Sequence, residues 1–190
     1  MRETNNISKF ISMKIKEKNM NRLIIPAIII FAAFTRIMPH PPNFTPIIAM
    51  GLFGGAYLKD KRWAVLLPVG AMLLADIFLG FHGTMIWVYG SLIIITTIGF
   101  LLKRRVTLQN GAIATISGSL LFFLVTNFGV WASGSFYPKN VEGLISCYAA
   151  GIPFFGNTLG GSIFYSTLMF FGYEQVRTYF LIVGTDSIQK

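Results

Sequence analysis

The chain has 190 residues, 54% hydrophobic and 12% charged, with a mean hydropathy of +0.63. That balance excludes an ordinary soluble domain and fits a small polytopic membrane protein. The net charge of +9 does not mark a nucleic-acid binder, because the basic residues sit in the gaps between apolar runs and form no basic face interleaved with aromatics.

Residues 1–22 form a basic leader. The apolar run after it leads into RIMPHPPN with no small-residue cleavage site, so it does not read as a signal peptide. Ile7, Phe10, Ile11 and Ile15 fall at helical spacing among lysines. The segment reads either as an interfacial helix on an anionic leaflet or as a disordered leader, with Met13 and Met20 as alternative starts.

Residues 23–172 read as one all-α domain of six transmembrane helices. The spans are predicted over Leu23–Met38, Phe44–Leu58, Trp63–Phe81, Thr84–Leu102, Ala112–Ala132 and Phe154–Phe171. The second is short against the roughly 20 residues that a vertical span needs. Pro46 stands in its first turn, where a missing N–H costs nothing. Gly51/Gly55 and Gly156/Gly160 are GxxxG pairs, expected to pack the bundle rather than to dimerise it. HPPNFTP reads as a rigid extended turn that holds His40 and Asn43 as a lid. Between the fifth and sixth spans, GLISCYAAGIPFF is apolar but too short to cross, so an interfacial or re-entrant piece is expected there. Residues 173–190 are left as a tail.

The basic residues orient the chain. With both termini cytoplasmic, the inner segments hold Arg2, Lys9, Lys14, Lys16, Lys18, Arg22, Lys59, Lys61, Arg62, Lys103, Arg104, Arg105, Arg177 and Lys190. Only Arg36 and Lys139 of the 16 Lys and Arg are left for the outer half.

Asp76 is the one carboxylate inside an apolar run, and a charge at membrane depth costs about 3 kcal/mol by insertion scales. At about 1.5 Å per residue from the inner end of each span, Arg36 and Asp76 both stand about 20 Å into a core of about 30 Å. Asn127 stands at about 22 Å by the same count. Asn157, Trp87 and Tyr89 lie near the outer starts of their spans. The inner halves IIPAIIIFAA, AVLLPVGAM and LIIITTIGFLL carry no ionisable group. A pore or proton wire places polar groups along its whole length, whereas this pattern is an outward-facing cup on an apolar floor.

Each of these residues has two readings. Arg36 and Asp76 are a structural tether between the first and third spans or ligand anchors. His40 and His82 are interfacial histidines or ligands for a metal or a carboxylate. Trp87, Tyr89 and Trp131 are members of an aromatic belt or the walls of a site for a flat ligand. The amides of Asn127 and Asn157 need partners in lipid and suit the polar edge of a ligand. The single cysteine, Cys147, permits no intramolecular disulfide, and no Cys/His cluster has zinc-ligand spacing, so no metal or other cofactor is expected.

RIMPHPPNFTPIIAMGLFGGAYL, LLADIFLGFH, FLVTNFGVWASGSFYP and IPFFGNTLGGSIFY resemble a group of uncharacterised bacterial inner-membrane proteins. More distantly, the plan is similar to the substrate-binding S components of energy-coupling-factor vitamin transporters. That likeness implies six helices, both termini inside, and a ligand held near the outer surface under the loop joining the first two helices. It also implies a transmembrane coupling subunit and ATPases as partners. S components often dock through an AxxxA face on the first helix, and Ala27, Ala32 and Ala33 do not have that spacing. Cobalamin-specific members can use a cysteine as cobalt ligand, a role that would fall to Cys147.

The expectation is a bacterial inner-membrane protein, not an enzyme, that binds a small organic nutrient from the outer side. Its site would comprise Arg36, His40, Asn43, Asp76, His82, Trp87, Tyr89, Asn127, Trp131 and Asn157. The alternatives are a membrane enzyme working at the outer surface, with Asp76 and His40 or His82, and a structural or assembly protein without a ligand.

Overall fold

A computed structural model describes the backbone of residues 2–102 and 106–186, and the side chains of residues 15, 19–102 and 106–180. The side chains of Ile7, Phe10 and Ile11, and residues 103–105 and Lys190, lie outside the described residues. The chain is all-α: α1 Arg2–Phe34, a 3-10 turn Thr35–Ile37, α2 Ile47–Tyr57, α3 Lys61–Leu79, α4 Met85–Leu102, α5 Leu108–Ser133 and α6 Val141–Asp186. Among the described residues, four segments are long and apolar enough to cross a membrane: Asn19–Ile37, Lys61–Leu79, Met85–Leu102 and Leu108–Ser133. Their outward faces carry large apolar side chains, with Phe31, Phe78, Ile86 and Leu101 each more than two-thirds exposed. Such a surface suits lipid contact and not water.

Local chemistry sets the helix ends. Asp60 accepts from the Arg62 N–H at 2.8 Å and starts α3, and Thr107 accepts from the Asn110 N–H at 3.2 Å and starts α5. Gly80, at φ 91°, closes α3 in a conformation that only glycine adopts readily. Asn140 accepts from the Gly143 N–H at 2.8 Å and starts α6, with Glu142 in the first turn.

That last cap corrects the expectation for GLISCYAAGIPFF. The segment is neither a loop nor a re-entrant piece, but the first turns of a 46-residue helix that runs on through Pro153. A proline inside a membrane helix is tolerated where neighbours compensate the freed backbone groups. Here Gly143, Cys147 and Gly151 make a stripe of small buried residues along which α5 and its C-terminal loop lie.

At the centre is α2. It has 11 residues, about 16 Å of helix, and Ile47 to Ala56 are all buried. A helix apolar on every side has to be enclosed on every side. Met50 and Phe53 face α1 and α6, Ile48 and Leu52 face α4 and α5, and Ile47 meets Met72, Val88 and Leu92 of α3 and α4.

Glycine permits the enclosure. A Cβ on Gly55 would fall 2.3 Å from the Thr96 carbonyl oxygen and 2.8 Å from the Gly99 Cα. On the opposite side, a Cβ on Gly54 would fall 3.0 Å from the Ala64 carbonyl oxygen, the one that Pro68 leaves without a helical donor. The Gly51/Gly55 pair therefore packs α2 against α4, as its spacing indicates. The other pair departs from expectation: Gly156 faces open space, Gly160 has only the Phe44 ring at 3.7 Å, and α6 meets the backbone of Phe44 and Thr45 at Gly161 instead.

Gly55→Ala should force α2 and α4 apart and cost about 1–3 kcal/mol, read as a lower thermal unfolding midpoint of the detergent-purified protein. Gly156→Ala should leave the midpoint unchanged. An unmoved midpoint for Gly55→Ala would show that the two helices have room to separate.

Candidate ligand-binding site

The 3-10 turn that ends α1 carries Arg36 inward, and α3 presents Asp76 opposite it. Arg36 Nη1 donates to Asp76 Oδ1 at 2.8 Å, and the Tyr89 hydroxyl donates to Asp76 Oδ2 at 2.7 Å. The two side chains are 10% and 1% exposed. Both carboxylate oxygens are thus engaged within the protein. Arg36 Nε is buried and finds no acceptor among the described residues.

Beyond Arg36 the chain leaves helical geometry. Pro41 to Phe44 close a turn through the Phe44 N–H to the Pro41 carbonyl at 3.0 Å, with Asn43 at φ 63°. Pro42 before a residue of positive φ is the arrangement a type II turn requires, and asparagine tolerates that φ better than most. The chain then descends between helices: Phe44 rests on Gly161 and Pro46 is fully buried.

This segment forms one wall of a cavity of about 290 Å³. Arg36, Asn43, Thr45, His82, Thr84, Thr126, Asn127 and Thr158 bring polar groups to it. Ile47, Val88, Val130 and the aromatic group Phe122, Phe123, Phe154 and Phe155 supply the apolar walls. Gly151 allows the closest approach there, since a Cβ on it would fall 2.4 Å from Asn127 Oδ1. Two larger hollows, of about 400 and 650 Å³, lie elsewhere on the bundle, beside Glu174 and beside Arg22. The first is lined largely by apolar side chains that also face outward, and the second sets Asn21, Arg22, Lys59 and Asp60 beside an apolar wall of Ile25, Pro26, Trp63 and Leu67.

A family profile matches residues 16–183. The chain belongs to DUF6580, a family of unknown function. No curated protein and no solved structure matches it.

In this DUF6580 chain, Arg36, Asn43, His82 and Asn127 of the sequence-predicted set line the cavity. Asp76 and Tyr89 stand behind Arg36 and hold it. The others are employed elsewhere. His40 Nε2 and Nδ1 lie 3.3 and 2.9 Å from the carbonyl oxygens of Arg36 and Pro41, so this histidine braces the turn. Trp87 packs flat over Gly129, and its Nε1 donates to Ser133 Oγ at 2.8 Å. Trp131 Nε1 donates to the Pro138 carbonyl at 2.8 Å, and Lys139 lies over its ring. Asn157 is half-buried and does not line the cavity, whereas its neighbour Thr158 does.

Cys147 is buried, and its Sγ donates to the Asn127 carbonyl at 3.4 Å. Burial raises its thiol above the usual range against the lowering pull of a backbone hydrogen bond and of Lys139, which keeps it a neutral donor and a poor metal ligand.

The sequence reading passed over Thr45, Thr84, Thr126, Thr158 and the four phenylalanines. Thr126 and Thr158 each adjoin an asparagine of the predicted set; Thr126 lines the cavity together with Asn127, whereas helical phase turns Thr158 inward and Asn157 away.

Asp76→Ala should cost about 3–5 kcal/mol, because it leaves Arg36 buried without its counter-charge. Replacing both, as Arg36→Met with Asp76→Leu, should recover most of the unfolding midpoint. A double variant no more stable than the single one would show that the pair itself holds α1 to α3.

Proposed function

We propose that this DUF6580 protein is a membrane-embedded substrate-binding component that takes a small organic molecule of vitamin-like size into the cavity beside Arg36. In this reading the chain crosses a bacterial cytoplasmic membrane six times with both termini inside, and the cavity opens to the outer side. The basic residues favour that orientation. The second crossing then consists of segment 38–46 together with α2. Inward release would fall to partner subunits, a membrane coupling protein and ATPases, as the architectural likeness to S components implies.

One observation carries the reading: the non-helical backbone of Phe44 to Pro46 enters the helical bundle and, with Asn43, forms one wall of a polar-lined cavity. Phe44 and Thr45 lie against Gly161, well within the predicted sixth span. In lipid, irregular backbone at that depth persists where it is buried in protein or lines a hydrated cavity. A tether between helices needs no cavity. Asp76, with both oxygens engaged inside the protein, serves here to position Arg36 and not to touch the ligand. Arg36, which lines the cavity, is left to present its guanidinium to a ligand.

Native mass spectrometry of the gently purified protein should find a co-purifying small molecule. Asn127→Leu, which keeps the side-chain volume and removes the amide, should lower its occupancy at least tenfold while the unfolding midpoint stays within a few degrees. Wild-type protein with nothing bound, or an occupancy that Asn127→Leu does not change, would count against the site.

A further inference from the structure

We infer that the ligand is an uncharged planar ring carrying an amide-type edge, a carbonyl oxygen or ring nitrogen beside an N–H donor. This rests on the reading of the cavity as a substrate site and specifies what that site selects.

The charge balance comes first. The ionisable groups that meet at the cavity are Arg36, with Asp76 behind it, and His82. The Arg36 charge is already matched by Asp76. His82 Nδ1 lies 2.9 Å from the Thr84 hydroxyl. A carboxylate ligand would meet an arginine whose charge is already matched and would stand beside a carboxylate already there, a like-charge placement that burial makes worse. Displacing Asp76 from Arg36 would leave a 1% exposed carboxylate with only the Tyr89 hydroxyl. Both routes penalise an anion.

The hydrogen-bond inventory comes second, and it is directional. Thr126 Oγ1 donates to the Phe122 carbonyl at 2.7 Å, and Thr158 Oγ1 donates to the Phe154 carbonyl at 3.1 Å. Asn127 Nδ2 donates to the Phe123 carbonyl at 2.8 Å. These three side chains have turned hydrogens back onto their own helix and retain oxygen lone pairs for a ligand. Arg36 Nε is the reverse case, a buried donor with no acceptor among the described residues. The cavity thus sets these acceptors beside donors on Arg36 and Asn43, a mixed lining that an amide, lactam or imide edge complements. The aromatic walls, where Phe123 and Phe155 pack tilted on each other at 5.2 Å between ring centroids, favour a flat ring lying against them.

The test uses matched probes on the full-length protein in detergent, freed of any co-purified molecule: nicotinamide against nicotinate, and thymine against orotate, by isothermal titration calorimetry. Each neutral ring should bind at least tenfold tighter than its carboxylate counterpart. 1,3-Dimethylthymine, which keeps the carbonyls and loses the N–H donors, should bind at least tenfold weaker than thymine. In Asp76→Asn, which frees the Arg36 charge, the preference between nicotinamide and nicotinate should narrow or reverse; the wild-type comparisons decide the matter if that variant does not fold. A carboxylate that binds wild type as tightly as its neutral partner would overturn the inference, as would failure of both neutral rings to bind at millimolar concentration. An anionic co-purified molecule would overturn it too, while leaving the cavity's role as a binding site intact.

Discussion

The bundle is organised by a helix too short for its place. At about 16 Å, α2 covers little more than half of a hydrocarbon core of about 30 Å, yet it is buried on all sides. The non-helical segment 38–46 precedes it, exposed through Asn43 and entering the bundle at Phe44 to Pro46, and non-helical chain there brings unpaired backbone groups with it. The structure meets this need locally: a turn closed by Pro41 and Phe44, a buried Pro46 that lacks a donor, and the Met50 N–H bonded back to the Pro46 carbonyl at 2.8 Å. What the segment does not fill becomes the cavity. A full-length second helix would close the space between Arg36 and Asn127.

The Arg36–Asp76–Tyr89 cluster follows from the same geometry. Ending α1 in a 3-10 turn at Thr35–Ile37 aims Arg36 at α3 instead of at lipid. Thr35 reinforces the turn by donating to the Ala32 carbonyl at 2.7 Å and lies 3.1 Å from the Tyr165 hydroxyl of α6. A buried pair is weak evidence of stability, because desolvation opposes the Coulomb gain. Its clearer effect is to orient the guanidinium, so that Nη1 is committed while Nε remains without an acceptor.

Much of this is legible in the sequence, and the gaps have physical causes. The pairing of Arg36 with Asp76 follows from equal depth and opposite charge, and the glycine pair in α2 follows from its spacing. The extent of α6 was missed because Pro153 reads as a terminator, although Asn140 followed by Glu142 is a helix start in its own right. The aromatics misled because Trp87 and Trp131 are long enough to find partners on neighbouring elements, at Ser133 and Pro138, and spacing alone does not say which way a ring turns. The threonines were passed over because a hydroxyl bonded to its own helix looks silent. Its remaining lone pairs matter only once a cavity is seen to face them.

The same logic separates the cavity from the polar seam below it. Between α5 and α6, Thr115, Ser119, Ser162 and Ser166 are buried, so that part of the bundle is less uniformly apolar than the runs IIPAIIIFAA, AVLLPVGAM and LIIITTIGFLL indicate. Yet Ser119 donates to the Thr115 carbonyl at 2.8 Å, Ser162 to the Thr158 carbonyl at 2.6 Å, and Thr115 to Ser166 Oγ at 3.2 Å. These hydroxyls are satisfied where they stand, and small residues of this kind let membrane helices approach closely. They hold α5 against α6 without presenting a chain of unpaired groups. Among the described residues, the unpaired donor and the spare lone pairs occur together at the Arg36 end, beside the short second helix.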